Sequence, residues 1–548
     1  IAIICLLNQE SIGAPFKRYK HKFDLAHDEL LAVLREAGRG KLTRQAYLKF
    51  NQSNQSSKKC LVEFNPTASF TEGSVPVRVE AKAMNPLATL VLLGWIPLVL
   101  YLFNRFPAQR AVVVSYVTGF LFLPELISYP IAQGIPVYNK GSATTYCILL
   151  ATLLYDSKRF SSFKPGLLDV PMLIWCLCPI ATQLSNGLSP ISPTLNQIVA
   201  WGLPYFFGRI YLNDLAGLRQ LAVGIFAGGM VYAPLCLLET RIAPTLHLRV
   251  YGVHAFADFA QSVRYGGYRP TVFLVHGLWV GLWMMAATLI GIWLWRTKVI
   301  KQLRGIPIRR LVVVLVITFI LVKSTGAYIY LAIGTVILFT AGWLRSKIPV
   351  LLLIAVLSTY LYLGATGALY SMPQVVSFVS NAQSNPENDR AGSLAFRIVN
   401  EEALSQKARQ RMIFGWGDSG GSRIYDEEGN DISVTDSLWI IAFGLQGLVG
   451  LISFTASLFA APLGCCFSRY SPSTWSNPKV APAAALALVL ILYMLDSALN
   501  AMVCPVFMLA SGGISGLVMQ EPQTSKATSD RSSIPQRSLV QRRQNLQS

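Results

Sequence analysis

The chain has 548 residues, 53% of them hydrophobic and 14% charged, with a mean hydropathy of +0.45. An ordinary soluble domain carries roughly 25% charge, so this composition excludes a soluble globular protein, and it excludes disulfide-stapled, fibrous and disordered classes as well. The formal charge of +20 would suggest nucleic acid in a soluble chain, but here its distribution fits membrane topology and calls for no nucleic-acid partner.

Residues 1–83 are polar, without sustained periodicity, and carry scattered basic residues such as Lys17, Arg18, Lys58 and Lys59. The apolar start Ile1–Leu7 lacks a basic n-region and is too short for a signal peptide. The first methionine is Met84, and Met84-Asn-Pro opens directly onto the first apolar run. The expectation is that Met84 is the native start and 1–83 an over-extended reading frame; a dispensable cytoplasmic domain is the alternative. Residues 84–519 then form the membrane domain and 520–548 a basic tail.

Apolar runs long enough for a hydrocarbon core of roughly 30 Å recur from residue 88 onward. They predict an all-α polytopic membrane protein with about 12–13 transmembrane helices: 88–104, 111–128, 143–155, 168–183, 195–212, 218–238, 271–295, 310–322, 327–344, 349–366, 438–460, 481–499 and 502–519. The third and eighth are short. The 296–310 connection holds Arg296, Lys298, Lys301, Arg304, Arg309 and Arg310 with no acid, which marks it as cytoplasmic. Alternation puts Arg105/Arg110, Lys158/Arg159/Lys164, Arg345/Lys347 and the basic tail on the same side. Two segments, 239–270 and 367–437, then face the exterior, the periplasm for a bacterial inner membrane. The second, between the tenth and eleventh helices, is about 70 residues long and holds ten acidic residues; loops of that length in compact proteins are usually functional. It includes a helix-like stretch around Ser393–Arg411, then Phe414-Gly-Trp-Gly-Asp-Ser-Gly-Gly421, then a polar turn at Asp426–Asp431. The nine cysteines form no CxxC pair and lie mostly in apolar runs, which reads as buried free thiols.

The residues able to carry chemistry fall on the outer side. Arg264 and Arg269 flank Tyr-Gly-Gly-Tyr just before the helix expected at 271. Two guanidiniums at a membrane edge suit a phosphate or pyrophosphate, because the planar fork binds phosphoryl oxygens bidentately; lipid headgroup contact is the equal alternative. Lys323 occupies a very short turn between two helices, where it meets an anion or anchors at the interface. His276 is expected a turn or two into its helix, and His247 and His254 lack ligand spacing, so no metal site is inferred. Glu125 and Asp496, near the outer ends of apolar helices, are secondary candidates. Gly415-Trp-Gly-Asp-Ser-Gly420 matches GxGxxG without a βαβ context and reads as a tight loop, not a dinucleotide site. Asp436 precedes a helix starting near Leu438, where it is a simple N-cap or a working carboxylate.

The combination resembles the O-antigen ligase / O-antigen polymerase superfamily of bacterial membrane glycosyltransferases over residues 84–519. Arg264-Tyr-Gly-Gly-Tyr-Arg-Pro-Thr-Val-Phe looks like the family's Arg-x-x-Gly segment entering a helix. Lys323-Ser-Thr-Gly-Ala is similar to its Ser-Arg-Gly-Ala turn. Arg397 with Phe414-Gly-Trp-Gly417 resembles the outer-loop helix and its Pro-x-x-Gly-x-Gly element, and Thr435-Asp-Ser-Leu with Gly-Leu-Gln-Gly resembles His-Asn-x-x-Leu followed by Gly-Leu-x-Gly. The resemblance implies metal-independent, cofactor-free transfer of a glycan from a polyprenyl-pyrophosphate-linked donor to a lipid or glycan acceptor at the periplasmic face, amid membrane lipids. Arg264, Arg397 and Lys323 would then bind the donor, with Arg269 as a helper, and Asp436 would replace the family's catalytic His. A polymerase of the same superfamily, a lipid-linked oligosaccharide flippase and a noncatalytic assembly subunit are the competing readings.

Overall fold

The computed structural model describes residues 85–254, 262–264, 266–384, 389–418 and 420–520. The expected 1–83 extension, Met84 and almost all of the basic tail lie outside the described residues. What is described is helical, apart from three two-residue hairpins and one isolated bridge. Seven helices or helical stretches among the described residues are long and apolar enough to cross a membrane.

Helix α1 (Pro86–Arg105) starts because the Asn85 side chain accepts the Leu87 N–H and Pro86 takes N1. Helix α2 (Ala108–Phe122) stops short of the expected residue 128, because Leu123 precedes Pro124 and turns extended. The chain then forms a hairpin, Ser128–Tyr129 on Tyr138–Asn139, before α3 (Lys140–Tyr155), which a capping box of Asn139 and Ser142 opens. Next come α4 (Val170–Ser185), α5 (Ile191–Gln197) and α6 (Leu203–Tyr211), the last two joined through a π turn at Ile198–Gly202. Helix α7 (Leu215–Ile242) leads to the short α8 (Leu246–Tyr251), and α9 (Gly277–Arg296) is the most enclosed of the long helices. Helices α10 (Ile308–Leu321), α11 (Thr325–Leu344) and α12 (Ile348–Thr366) follow. The 367–437 segment contributes α13 (Pro373–Ser384) and α14 (Asp389–Arg409), so the expected helix near Ser393–Arg411 is present. Helices α15 (Leu438–Gly464), α16 (Ala481–Ser497) and α17 (Pro505–Met519) complete the bundle.

The core is built by close backbone approach. A Cβ on Gly208 would strike the Leu509 carbonyl, and one on Gly512 would strike the Tyr205 carbonyl, so α6 and α17 touch backbone to backbone. Small residues at such seams are how helices associate without a hydrophobic driving force. Apolar side chains also cover the outside: Leu352 is 62% and Trp343 81% exposed. A continuous apolar exterior on long helices suits lipid. The seven cysteines among the described residues are free and buried, as expected; Cys5 and Cys60 lie outside them.

Helix α15 is broken at Gly447, whose φ of 63° is non-helical. The break frees backbone groups, and residues 412–417 satisfy them: Trp416 N–H donates to Gly444 O, Gly417 N–H to Leu445 O and Leu448 N–H to Met412 O, at 2.8–3.0 Å. Side chains on Gly415 or Gly447 would collide with the opposing backbone. The Gly-Trp-Gly element is thus a patch on a broken helix, which is how irregular backbone persists at membrane depth.

Candidate functional site

The N-termini of α9, α11 and α15 meet the C-terminal end of α16 at one end of the bundle. Helix N-termini carry partial positive charge and unsatisfied N–H groups, so this end favours anions before any side chain is considered.

The hairpin Val263–Arg264/Gly267–Tyr268, turned by Gly266 at φ 65°, sets the spacing of the two arginines. Arg264 lies on its exposed strand. Arg269, anchored by its N–H to Ser262 O at 2.7 Å, runs inward and is 95% buried, the complement of its 5% exposure. Its stem passes over Gly277, where any Cβ would sit about 2.6 Å from Arg269 carbons, and its Nη2 donates to Ser324 Oγ at 3.0 Å. Ser324 follows Lys323, which holds a left-handed φ of 57° in the turn between α10 and α11 and brings its Nζ against Gly267. The arginine hairpin and the α10–α11 turn are thus interlocked, Arg269 on Ser324 and Lys323 against Gly267.

His276 is not inside its helix. It is the N-cap of α9, with Nδ1 accepting Leu278 N–H at 3.1 Å. The expected first turn at 271–276 does not form: Val272 takes a left-handed φ of 54°, which a β-branched residue holds only under outside constraint, and side-chain acceptors supply that constraint. Thr271 and Val272 N–H donate to Glu239 Oε2 at 2.8 and 2.7 Å, and Phe273 N–H donates to the Tyr232 hydroxyl. Burial, then the charges of Arg269, Arg264 and Arg397, push the His276 imidazole down to about 3. The ring is neutral, and with Nδ1 accepting, its proton is on Nε2.

Arg397, on α14, ties the 367–437 segment to this end. Its Nη1 donates to Leu499 O at 3.1 Å and its Nε lies 3.6 Å from Asp436 Oδ2. Asp436 is not the helix cap: Ser437 holds that position, with its hydroxyl donating to Glu401. One residue earlier, the Asp436 side chain stays 44% exposed beside Arg397. Asp496 is buried, accepts Asn500 Nδ2 at 2.7 Å, and lies beside the Tyr330 hydroxyl within electrostatic reach of Arg397.

Seven of the eight residues singled out in the sequence thus gather: Arg264, Arg269, Lys323, His276, Arg397, Asp436 and Asp496. Glu125 does not join them. Because α2 ends early, Glu125 sits in a loop and pairs with Lys140 at 2.9 Å, whose ammonium also donates to Phe273 O. His247 is a packing histidine, accepting Glu125 N–H through Nε2 and bonding Val253 O through Nδ1.

Sequence reasoning missed Glu401. It is buried, accepts Tyr360 OH at 2.7 Å and Ser437 Oγ and Trp439 Nε1 at 3.2 Å, and so fixes α14 against α12 and the start of α15. Burial raises its carboxyl above the usual range. Its spacing of four from Arg397 on a helical stretch was the available signal.

The arrangement gathers four cations against two carboxylates, with a buried neutral imidazole between them. Chemically, it can hold an anion of several oxygens next to a partly exposed carboxylate. No known protein family matches this chain, and no curated protein sequence matches it.

Proposed function

We propose that the chain is a membrane glycosyltransferase that moves a glycan from polyprenyl pyrophosphate to an acceptor hydroxyl, as the resemblance to the O-antigen ligase / polymerase superfamily implies. The observation that carries this reading is the gathering of cations from three separate chain segments: Arg264, Arg269 and Arg397 within electrostatic reach of His276, Lys323 against the arginine hairpin at Gly267, and Arg397 paired in turn with Asp436. In this reading the protein lies in a bacterial inner membrane with about 12–13 spans, and the cationic end faces the periplasm; the basic 296–310 connection at the other end supports that orientation.

The cations bind the pyrophosphate and stabilise the charge that builds on it as it leaves. The acceptor oxygen attacks the anomeric carbon, a new glycosidic C–O bond forms, and the bond from that carbon to the phosphate oxygen breaks. Its electron pair departs on the carrier pyrophosphate. Asp436 takes the acceptor proton, and the Arg397 guanidinium orients the carboxylate. His276 offers an Nε2 proton toward the anion and is no base, since its basic nitrogen already accepts Leu278 N–H. Arg269, fixed on Ser324, is held ready before the substrate arrives.

The test is reconstitution of the full chain in lipid with polyprenyl-pyrophosphate glycan and lipid or glycan acceptors, scoring released carrier and glycosylated product. Asp436→Asn is expected to fold normally and to transfer about 10²-fold more slowly or worse. Parental transfer by Asp436→Asn removes the base assignment. The acceptor that is glycosylated decides between ligase and polymerase.

A further inference from the structure

Next to the charged cluster lies an uncharged cavity of about 100 Å³ between α4, the α5–α6 turn and the first half of α15. Its wall holds two indoles, Trp175 and Trp201, and the amides of Gln183, Gln197 and Gln446. Trp175 and Trp201 pack edge to face at 5.7 Å, and both lie on the Phe454 ring. Gln183 is already spoken for, donating to Gly417 O. The others are not: Trp175 Nε1, Gln197 Nε2 and Gln446 Oε1 are buried without a hydrogen-bond partner among the described residues. These three residues are only 5–8% exposed. Unsatisfied polar atoms are expensive at membrane depth, and three of the residues that wall this one cavity each carry one, which points to an occupant that draws them toward it.

The occupant's chemistry follows from the wall. It carries no charge, because no Asp, Glu, Lys, Arg or His among the described residues lines the cavity. It carries both acceptors, for the Trp175 and Gln197 N–H groups, and donors, for Gln446 Oε1. It also has flat apolar faces to lie against indole. A prenyl or acyl chain would leave all three polar atoms orphaned. A polyhydroxylated ring, with C–H faces and peripheral hydroxyls, meets every requirement. A water needs roughly 10–15 Å³, so the cavity of about 100 Å³ has room for about seven to ten water-sized groups, enough for the ring and part of the hydroxyl set of one sugar unit.

Position agrees. Leu438, in the wall, is two residues beyond Asp436, and its N–H donates to the carbonyl of Asn500, the partner of Asp496. The cavity begins where the charged cluster ends. We propose that it is a subsite for one uncharged sugar ring of the glycan that is transferred or extended, an assignment that rests on the transferase reading and names the part of the substrate held away from the pyrophosphate.

The experiment is saturation-transfer NMR on the full chain in lipid nanodiscs, with free glucose, galactose and N-acetylglucosamine as probes, alongside the transfer assay. Saturation of at least one sugar is expected. Trp175→Phe, which keeps an aromatic face but deletes the indole N–H and its five-membered ring, weakens it roughly fivefold to tenfold, and Gln446→Leu does at least as much. In transfer, these variants raise KM for the glycan substrate and leave kcat within about twofold, whereas Asp436→Asn lowers kcat and leaves sugar binding unchanged. No saturation of any of the three sugars, which would mean ordered water only, overturns the subsite. So does saturation in Trp175→Phe and Gln446→Leu equal to the parent's, which would mean that the sugar binds elsewhere on the chain. If the parental chain binds sugar in the Trp175-dependent way but transfers nothing, the transferase reading falls and the cavity stands; if it transfers but binds no sugar, the cavity alone falls.

Discussion

Two groups of buried or half-buried carboxylates sit at the same end of the bundle and behave in opposite ways. Around Glu239 both oxygens are engaged: Oε1 accepts Leu246 N–H, Oε2 accepts Thr271 and Val272 N–H, and nearby Glu125 is closed by Lys140. Around Asp436 the bonds are loose: a single 3.6 Å pair with Arg397 and nearly half the side chain exposed. The same residue type is a structural pin in one place and an open chemical group in the other. The difference is saturation, not identity. A buried carboxylate whose two oxygens both accept backbone N–H groups fixes the chain that donates them, and it has little left for a substrate.

The comparison breaks most visibly at Glu239. Glu239→Ala leaves three buried backbone N–H groups without an acceptor, each costing roughly 1–3 kcal/mol, so the chain is expected to lose at least about 3 kcal/mol and to fold poorly. Thermal unfolding in nanodiscs measures it, and an unchanged midpoint would mean that the 271–276 segment is held by something else. Asp436→Ala, in the loose group, should shift the midpoint little in the same experiment, since a half-exposed pair contributes about 0–1 kcal/mol.

Next in size is the donor grip. Arg264→Ala, at limiting donor, is expected to lower transfer about tenfold or more, one charge-assisted contact being worth roughly 1.5–3 kcal/mol. Arg264→Lys should recover only part of that, because a point charge lacks the fork. Full activity in Arg264→Ala would leave the inner cations, Arg269 and Lys323, as the whole anion site.

The smallest effect sharpens the boundary between the two groups, at Glu401. Burial raises its folded carboxyl above the ordinary 4.5. The contribution of that protonation is therefore fully present below pH 4.5 and is lost as pH rises through the raised folded value. Glu401→Gln, fixed in the neutral form, should show a flatter dependence of unfolding midpoint on pH across that window than the parent. Parallel curves would show that Glu401 is charged throughout and that Tyr360, Trp439 and Ser437 compensate it.

How much of this was legible beforehand differs by feature. The apolar runs of α1, α7, α11 and α12 were readable to within a few residues, since each crosses many turns and no single contact moves it. The ends failed where a competing partner intervened. Pro124 cut α2 short, and Glu239, about thirty residues upstream, together with Tyr232 held the 271–273 backbone in a non-helical course with Val272 left-handed. Arg264, Arg269, Lys323 and Arg397 were visible as charges that an apolar chain has little reason to keep. Glu401 was not, because a carboxylate in a polar outer segment looks like any other until Tyr360 and Trp439 close over it.

The sequence by itself determined the class of protein, the approximate helices and the side on which polar chemistry collects, because those depend on the summed transfer energy of whole segments. Tertiary structure alone decided which carboxylate is a pin and which is open, that Gly415 and Gly447 patch a broken helix, and that three residues walling one cavity each carry an unsatisfied polar atom. Each of those depends on the position of a few atoms contributed by residues far apart in the chain, and no local pattern encodes a distance between them.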